Sequence, residues 1–468
     1  MRLANYEFAE SLDKKEWLNS MQMKVGLSYF GGKSVIGKYI FNNIFNLSVE
    51  MKKRGRKPEI FIDAFTGGGK MGLSVPYGWY DTIVMNDINY GVYSYYKCCQ
   101  SDDYIALIYM IEKIGELMSR DLFHVAAYLR NFGINVDKWD DGKDFVTEDE
   151  VLDPLVAAAL TYWVTVGAFN GMTAPDSTSY KLTKEIGEGD NKQDDKSLEQ
   201  ENIKKVIKRA YKNIPKIHEQ LNKQHYIIEN LDYRELIKKY NGMDWHDCDW
   251  MSKERFKDFL QERNELDEKI FDEQYEEFSK EHTHKNLEYA NKNKLWYFDP
   301  PYHPWCLYAG ENAPYADTFS AKLANEMIDI LHGDKEEEFG KIEYFIKSDY
   351  DPEVAYNTAK TEVNNHHDGH QLTWYRKLID MEEGREENKN NFSLNQYEKD
   401  MIWKEGMVTN LFKKIETYPF CKICVGGFDK GALLGKENES RKSVGQEYIW
   451  CRGFSKGYEE IEGEPAKE

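Results

Sequence analysis

The sequence predicts an α/β protein built on a mostly parallel sheet, and three observations lead there. Short apolar runs recur at 59–65, 82–88, 225–231 and 295–299, each the length of a buried strand. Stretches with apolar residues at helical spacing lie between them. The first run passes straight into a glycine-rich turn, Thr66-Gly67-Gly68-Gly69. Strands alternating with helices imply parallel neighbours, because a parallel pair needs a crossover.

Taken in order, residues 34–46 place Val35, Ile36, Tyr39, Ile40, Ile44 and Phe45 on one helical face, with Ser34 as N-cap. Residues 59–65 and 82–88 read as the first two strands. Residues 103–133 and 150–172 read as mainly helical. Residues 183–202 are polar with few apolar anchors and read as a mobile loop. A helix over 203–221 leads to a strand at 225–231. Further strands are expected at 295–299, 342–348, 420–425 and 446–451. Two stretches, 238–294 and 362–410, look inserted. In the first, Phe256, Phe259, Leu260, Ile270, Phe271 and Phe278 suggest one or two amphipathic helices.

At 468 residues, 41% apolar and 14% aromatic, the chain can bury a sizeable core. No apolar run approaches the roughly 18 residues of a membrane span. Met1–Glu7 lacks the apolar core of a secretory signal. Seven cysteines in a large chain fit a reducing cytoplasm rather than a disulfide framework. A net charge of −20 argues against general stickiness toward nucleic acid but leaves room for local basic patches. Two such patches exist, Lys52–Lys57 and the 204–209 stretch with Lys204, Lys205, Lys208 and Arg209.

Chemistry concentrates in three motifs. Asp63 precedes the Gly67–Gly69 turn, where a ligand can approach the backbone closely. The spacing is not that of a dinucleotide fingerprint, because Gly72 falls out of register. Asp87, 24 residues on from Asp63, is placed to accept from ribose hydroxyls. An acid before the turn suits an ammonium better than a pyrophosphate. Together these fit a nucleoside cofactor without phosphates, S-adenosylmethionine. Asp299-Pro300-Pro301-Tyr302 follows the apolar run Leu295–Phe298. Its carboxylate can accept from an exocyclic amine, its prolines fix a turn, and its ring can stack on a planar base. Tyr29-Phe30-Gly31-Gly32-Lys33-Ser34 looks like a phosphate loop, but that motif needs glycine at 27, where Leu27 stands.

The ordered set Tyr29–Ser34, Asp63–Gly69, Asn86–Asn89 and Asp299–Tyr302 resembles the Dam-type (D12 class) DNA adenine-N6 methyltransferases. Phe169–Met172, Asn230–Tyr233 and Val444–Trp450 are similar to further segments of that family. The resemblance implies a Rossmann-like S-adenosylmethionine-dependent methyltransferase sheet with an inserted, mainly helical target-recognition domain. It implies a cofactor-binding half over 22–91 and a target-recognition region over 92–224. A catalytic half follows over 225–454, carrying the charged insertion 238–294. Tyr29 and Lys33 would contact the cofactor's methionine portion, and Asp63 its ammonium. Phe65, Gly67 and Gly69 would line the pocket, and Asp87 would hold the ribose. Asp232 would meet the adenine amine, with Tyr233 nearby. Asp299, Pro300 and Tyr302 would grip the target base. The chain departs from the family pattern at Thr173-Ala174-Pro175, so the target sequence does not transfer.

The expected partner is double-stranded DNA, with no membrane, no metal, and a companion restriction endonuclease left open. Two other readings stand beside this one. One is methylation of another planar amine (cytosine N4, RNA adenine or protein glutamine). The other is a non-catalytic binding protein on the same scaffold. Cys421-Lys422-Ile423-Cys424 reads as a strand rather than a metal pair, and Cys98-Cys99 as helix packing. His246, Cys248, His282 and His284 match no common zinc spacing, and Asn365–His370 reads as a solvated loop.

Overall fold

In the computed structural model, the structure describes residues 26–28, 37–129, 152–168, 180–186, 193–246, 257, 260–261, 266–267, 269–300, 321–350, 421–427 and 446–452. These fall into two compact units. The first holds the described residues up to Tyr297 together with 337–340; the second holds 298–300, 321–336 and those from 341 onward.

In the first unit, helix α1 (Gly37–Lys53) precedes strand β1 (Ile60–Asp63). The helix runs seven residues past its expected end, and Lys52 and Lys53 in its last turn complement the helix dipole. A short helix α2 (Lys70–Ser74) follows the glycine-rich turn and leads to β2 (Thr82–Asn86). Then come α3 (Tyr90–Gln100), α4 (Tyr104–Leu117) and α5 (Arg120–Leu129). The stretch expected to be mainly helical over 103–133 holds two helices, α4 and α5, in its described part. Met118 turns extended and ends α4, and Ser119 caps α5, its hydroxyl accepting from Leu122 N at 3.2 Å. Helix α6 (Pro154–Gly167) is buried along nearly its whole length, capped by Asp153 with Pro154 at its first position.

The stretch 183–202, expected as a mobile loop, contains β3 (Glu185–Ile186), β4 (Gln193–Asp194) and the start of α7 (Lys196–Lys223). The two short strands pair antiparallel. Asp195 caps α7 by accepting from Leu198 N at 3.1 Å, so the helix begins seven residues before the apolar periodicity becomes visible. β5 (His225–Glu229) and α8 (Tyr233–Asn241) follow. Next come β6 (Asp244–His246), α9 (Phe271–His282), β7 (Thr283–Lys285) and β8 (Lys294–Phe298).

The strands of the first unit lie in the order β8-β1-β2-β5, all parallel. Every residue of β1 and β2 is buried, as expected of central strands covered on both faces. Parallel strands end on one edge, so the C-terminal ends of β1, β2 and β5 share that edge with Tyr297 of β8. Residues 238–241 and 244–246, at the start of the stretch read as inserted, belong to α8 and β6. A three-residue antiparallel ladder between β6 and β7 closes its base. Its small core is Leu260 and Phe271, with Leu266, Tyr275 and Phe278 packed against them. Phe256 and Phe259 lie outside the described residues.

In the second unit, α10 (Ala321–His332) precedes β9 (Phe345–Tyr350), β10 (Cys421–Gly427) and β11 (Gln446–Arg452). The order is β10-β11-β9, antiparallel throughout, with an irregularity between Cys424 and Gly426. Arg452 reaches from β11 to the carbonyl of Leu331 at 3.0 Å, tying α10 to these strands. Parallel strands with flanking helices fit an α/β methyltransferase fold. No helix among the described residues is long and apolar enough to cross a membrane.

Candidate active site

The C-terminal ends of β1, β2 and β5 bring the described cofactor candidates together. Asp63, the last residue of β1, is 1% exposed, and its Oδ2 accepts from Gly72 N at 3.0 Å. The carboxylate thus holds the first turn of α2 against the strand end. Between them the chain turns sharply. Gly69 N donates to Thr66 O at 2.7 Å, and Thr66 N donates to Asn86 O at 2.7 Å.

Gly67 and Gly69 have φ of 46° and 70°, a region costly for any residue with a Cβ. A Cβ at Gly69 would also collide with the hydroxyl of Tyr96, which rises from α3 beneath the turn. On the other flank, a Cβ at Gly26 would strike Gly68 O. Gly26 therefore serves close approach to this turn rather than a phosphate loop.

Asp87 stands just past β2. Its Oδ2 accepts from Gly67 N at 2.6 Å, and its Oδ1 from Asn89 N at 2.9 Å. One carboxylate thereby fixes both the glycine turn and the entry to α3. Asp232, 5% exposed, caps α8 by accepting from Arg234 N at 2.8 Å, and it holds Arg234 Nε at 2.7 Å. Phe65 lies 5.8 Å from the ring of Tyr233, so two aromatic surfaces border the turn.

Four residues of this edge escaped the motif reading. Asn86, 1% exposed, donates to Ala64 O at 3.0 Å and Leu231 O at 2.9 Å, and accepts from Leu231 N at 3.0 Å. It stitches three strand ends together. Asn230 does the same for the Asp87 loop, donating to Asp87 O and Ile88 O. Gly72 leaves no room for a Cβ against Met85. Tyr96 supports the turn, and burial pushes its phenol well above its ordinary range. Asn86 and Asn230 sat inside recognised segments without a role of their own. Tyr96 and Gly72 belong to none, since their partners lie elsewhere in the chain.

Asp299 and Pro300 follow the last residue of β8 directly. Asp299 is half-buried and Pro300 buried. Tyr29, Lys33, Pro301 and Tyr302 lie outside the described residues, as do Phe169–Met172 and Asn365–His370. Cys98 and Cys99 are buried in α3, as their helical reading expects. The 421–424 pair falls within strand β10. His284 packs on Trp245 and His282 on Phe278. Cys248 lies outside the described residues. Among the described residues, no group of three or more His, Cys, Asp and Glu could hold a metal.

No curated protein sequence matches the chain. A family model does match, over a segment that begins at the Tyr29 motif and ends just past the Asp232 helix. Residues 29–245 match the model of the D12 class N6 adenine-specific DNA methyltransferases, which shows the resemblance to that family and supports DNA adenine methyltransferase activity.

Proposed function

We propose that the protein methylates the exocyclic N6 of an adenine flipped out of duplex DNA, with S-adenosylmethionine as donor. The observation that carries this reading is the clamp of Asp87 on Gly67 N, which holds a side-chain-free turn open at the strand edge. The residues present suit this cofactor better than a phosphate-bearing one. Two carboxylates, Asp63 and Asp87, border the turn and would repel a pyrophosphate. The same charges favour a ligand carrying an ammonium and a sulfonium. The cofactor supplies an electrophilic methyl group when bound. Asp63 gives negative charge from beneath the turn. Asp87 offers lone pairs to ribose hydroxyls. Phe65 and Tyr233 present aromatic surface, and Asp232 an acceptor for an amine. Tyr29 and Lys33 take the methionine portion on the strength of the family resemblance.

The N6 amine is a weak nucleophile because its lone pair is delocalised into the ring. Asp299 and the Pro300 carbonyl accept its two N–H groups and favour a pyramidal nitrogen. Such orientation and electrostatics supply several kcal/mol in comparable sites. No covalent intermediate with the protein is needed. The base must leave the helix to be reached, and Tyr302 stacks on it. Residues 92–224 serve as the target-recognition region. The thiols of Cys98 and Cys99 fit a cytoplasmic setting.

Mass spectrometry of DNA from cells expressing the protein tests this. N6-methyladenine is expected for the wild type and none for Asp299→Ala, which still binds S-adenosylmethionine by calorimetry. N4-methylcytosine in its place, or wild-type turnover by the variant, overturns the assignment.

A further inference from the structure

Helix α7 has a face that the methyl-transfer chemistry does not use. Its 28 residues span about 42 Å. One side is apolar and buried through Ile203, Val206, Ala210, Ile214, Ile217 and Leu221. The other exposes Lys204, Lys205, Lys208, Arg209, Lys212 and Lys216. Lys204, Lys208, Lys212 and Lys216 repeat every fourth residue, so they form one stripe with about 6 Å between steps. Acidic residues occur only toward the ends, where Glu201 pairs with Lys205 and Glu219 with Lys223. Lys204, Lys208, Arg209, Lys212 and Lys216 make no ion pair with the described residues. Like charges at this spacing weaken a helix, and the chain as a whole carries −20. Five cations with no ion-pair partner among the described residues are therefore unexpected as a mere solubilising surface.

Position adds a second argument. α7 feeds β5 from the strands' N-terminal edge. Its last turns are fixed there by Asn222 Nδ2 on Gln100 O and by the ring of His218 stacked on Tyr104. β5, with five residues, rises only about 16 Å. The N-terminal half of α7 therefore runs toward and past the edge that bears Asp63 and Asp87. Lys181 adds to the charge on this side. Burial, and after it the Arg209 guanidinium, hold its ammonium below the ordinary lysine range.

We propose that the exposed basic face of α7, centred on Lys204, Lys208 and Lys212, seats the phosphodiester backbone of duplex DNA. It rests on the DNA methyltransferase reading and deepens it by naming a surface that fixes the duplex without reading its bases.

The test is fluorescence anisotropy of full-length protein with a labelled 30-base-pair duplex of arbitrary sequence, titrated across NaCl concentrations. Triple reversal Lys204→Glu, Lys208→Glu, Lys212→Glu is expected to weaken binding at least tenfold. It should also flatten the slope of log affinity against log salt by about 2–3, near 0.9 per lost phosphate contact. The equal charge change Lys53→Glu, Arg54→Glu, Arg56→Glu, at the strands' opposite edge, should leave that slope nearly intact. The milder Lys204→Gln, Lys208→Gln, Lys212→Gln set guards against misfolding and should flatten the slope while S-adenosylmethionine binding stays unchanged. Unaltered affinity and slope in both α7 variants, with the wild type methylating adenine, overturns this surface and leaves the enzymatic reading standing. A slope change seen only with single-stranded RNA overturns the duplex assignment. A wild type that neither binds duplex nor methylates it brings down the functional reading itself.

Discussion

The strand edge around Asp63 and the inserted segment between β6 and β7 are stabilised in opposite ways. At the edge, buried side chains act on main-chain groups. Asn86 ties β1, β2 and the Leu231 loop together, and Asp87 holds Gly67 and Asn89. The insertion instead hangs from a three-residue ladder over a small apolar cluster. One region is fixed by directional bonds with single partners, the other by generic contact. A site that must hold a ligand to within fractions of an ångström needs the first kind of support. A segment appended to the sheet can tolerate the second.

The largest expected effect lies at Asn86. Asn86→Ala strips partners from two buried carbonyls and one buried N–H, and should cost about 3–4 kcal/mol in urea unfolding. A loss near that of an ordinary surface change would show that the edge is less tightly specified than its bonds indicate. Next is Gly69→Ala. It combines a left-handed backbone with a collision against Tyr96, and should cost about 3 kcal/mol and sharply weaken S-adenosylmethionine binding by calorimetry. Gly55→Ala is the control, because it has a similar φ of 73° but open space around it. It should cost only about 1 kcal/mol and leave cofactor affinity alone.

In the insertion, Phe271→Ala should cost less than the roughly 3 kcal/mol of a deeply buried phenylalanine, because three of the four residues clustered with it are only partly buried. Hydrogen exchange should show lost protection confined to α9, with β1 and β2 unchanged. Spread of the loss into the sheet would erase the contrast between the two regions.

The smallest effect concerns Lys294, where the chain re-enters the sheet after the insertion. Burial lowers its ammonium from 10.5 to about 8, against the opposing pull of Glu59. Below about pH 8 the folded protein carries the proton at a cost. Between about 8 and 10.5 the unfolded chain still holds it and the folded one does not. The unfolded state then binds more protons, so stability rises with pH over that window. Urea midpoints from pH 7 to 9.5 should rise for the wild type and lose that increment in Lys294→Met. Equal profiles would show that water reaches the amine.

Much of the fold was readable from the chain because a buried strand announces itself by apolar runs and a turn by its glycines. Boundaries moved where a cap decided them, as Asp195 did for α7 and Ser119 did between α4 and α5. At the site, Asp63, the glycine turn and Asp87 were visible as motifs. Tyr96 and Gly72 were not, because each acts on residues that are neighbours only after folding. Gly26, which belongs to none of the motifs, is explained by its fit against Gly68.

The sequence by itself determined the α/β class, the order of the motifs and the family they resemble, since these depend on residue type and spacing along the chain. Only the tertiary structure decided that Asp87 closes on Gly67, that Asn86 joins three strand ends, and that α7 presents an unbroken basic face. Those depend on which strands pair, and parallel pairing brings together groups 234 residues apart, as at Glu59 and Asn293.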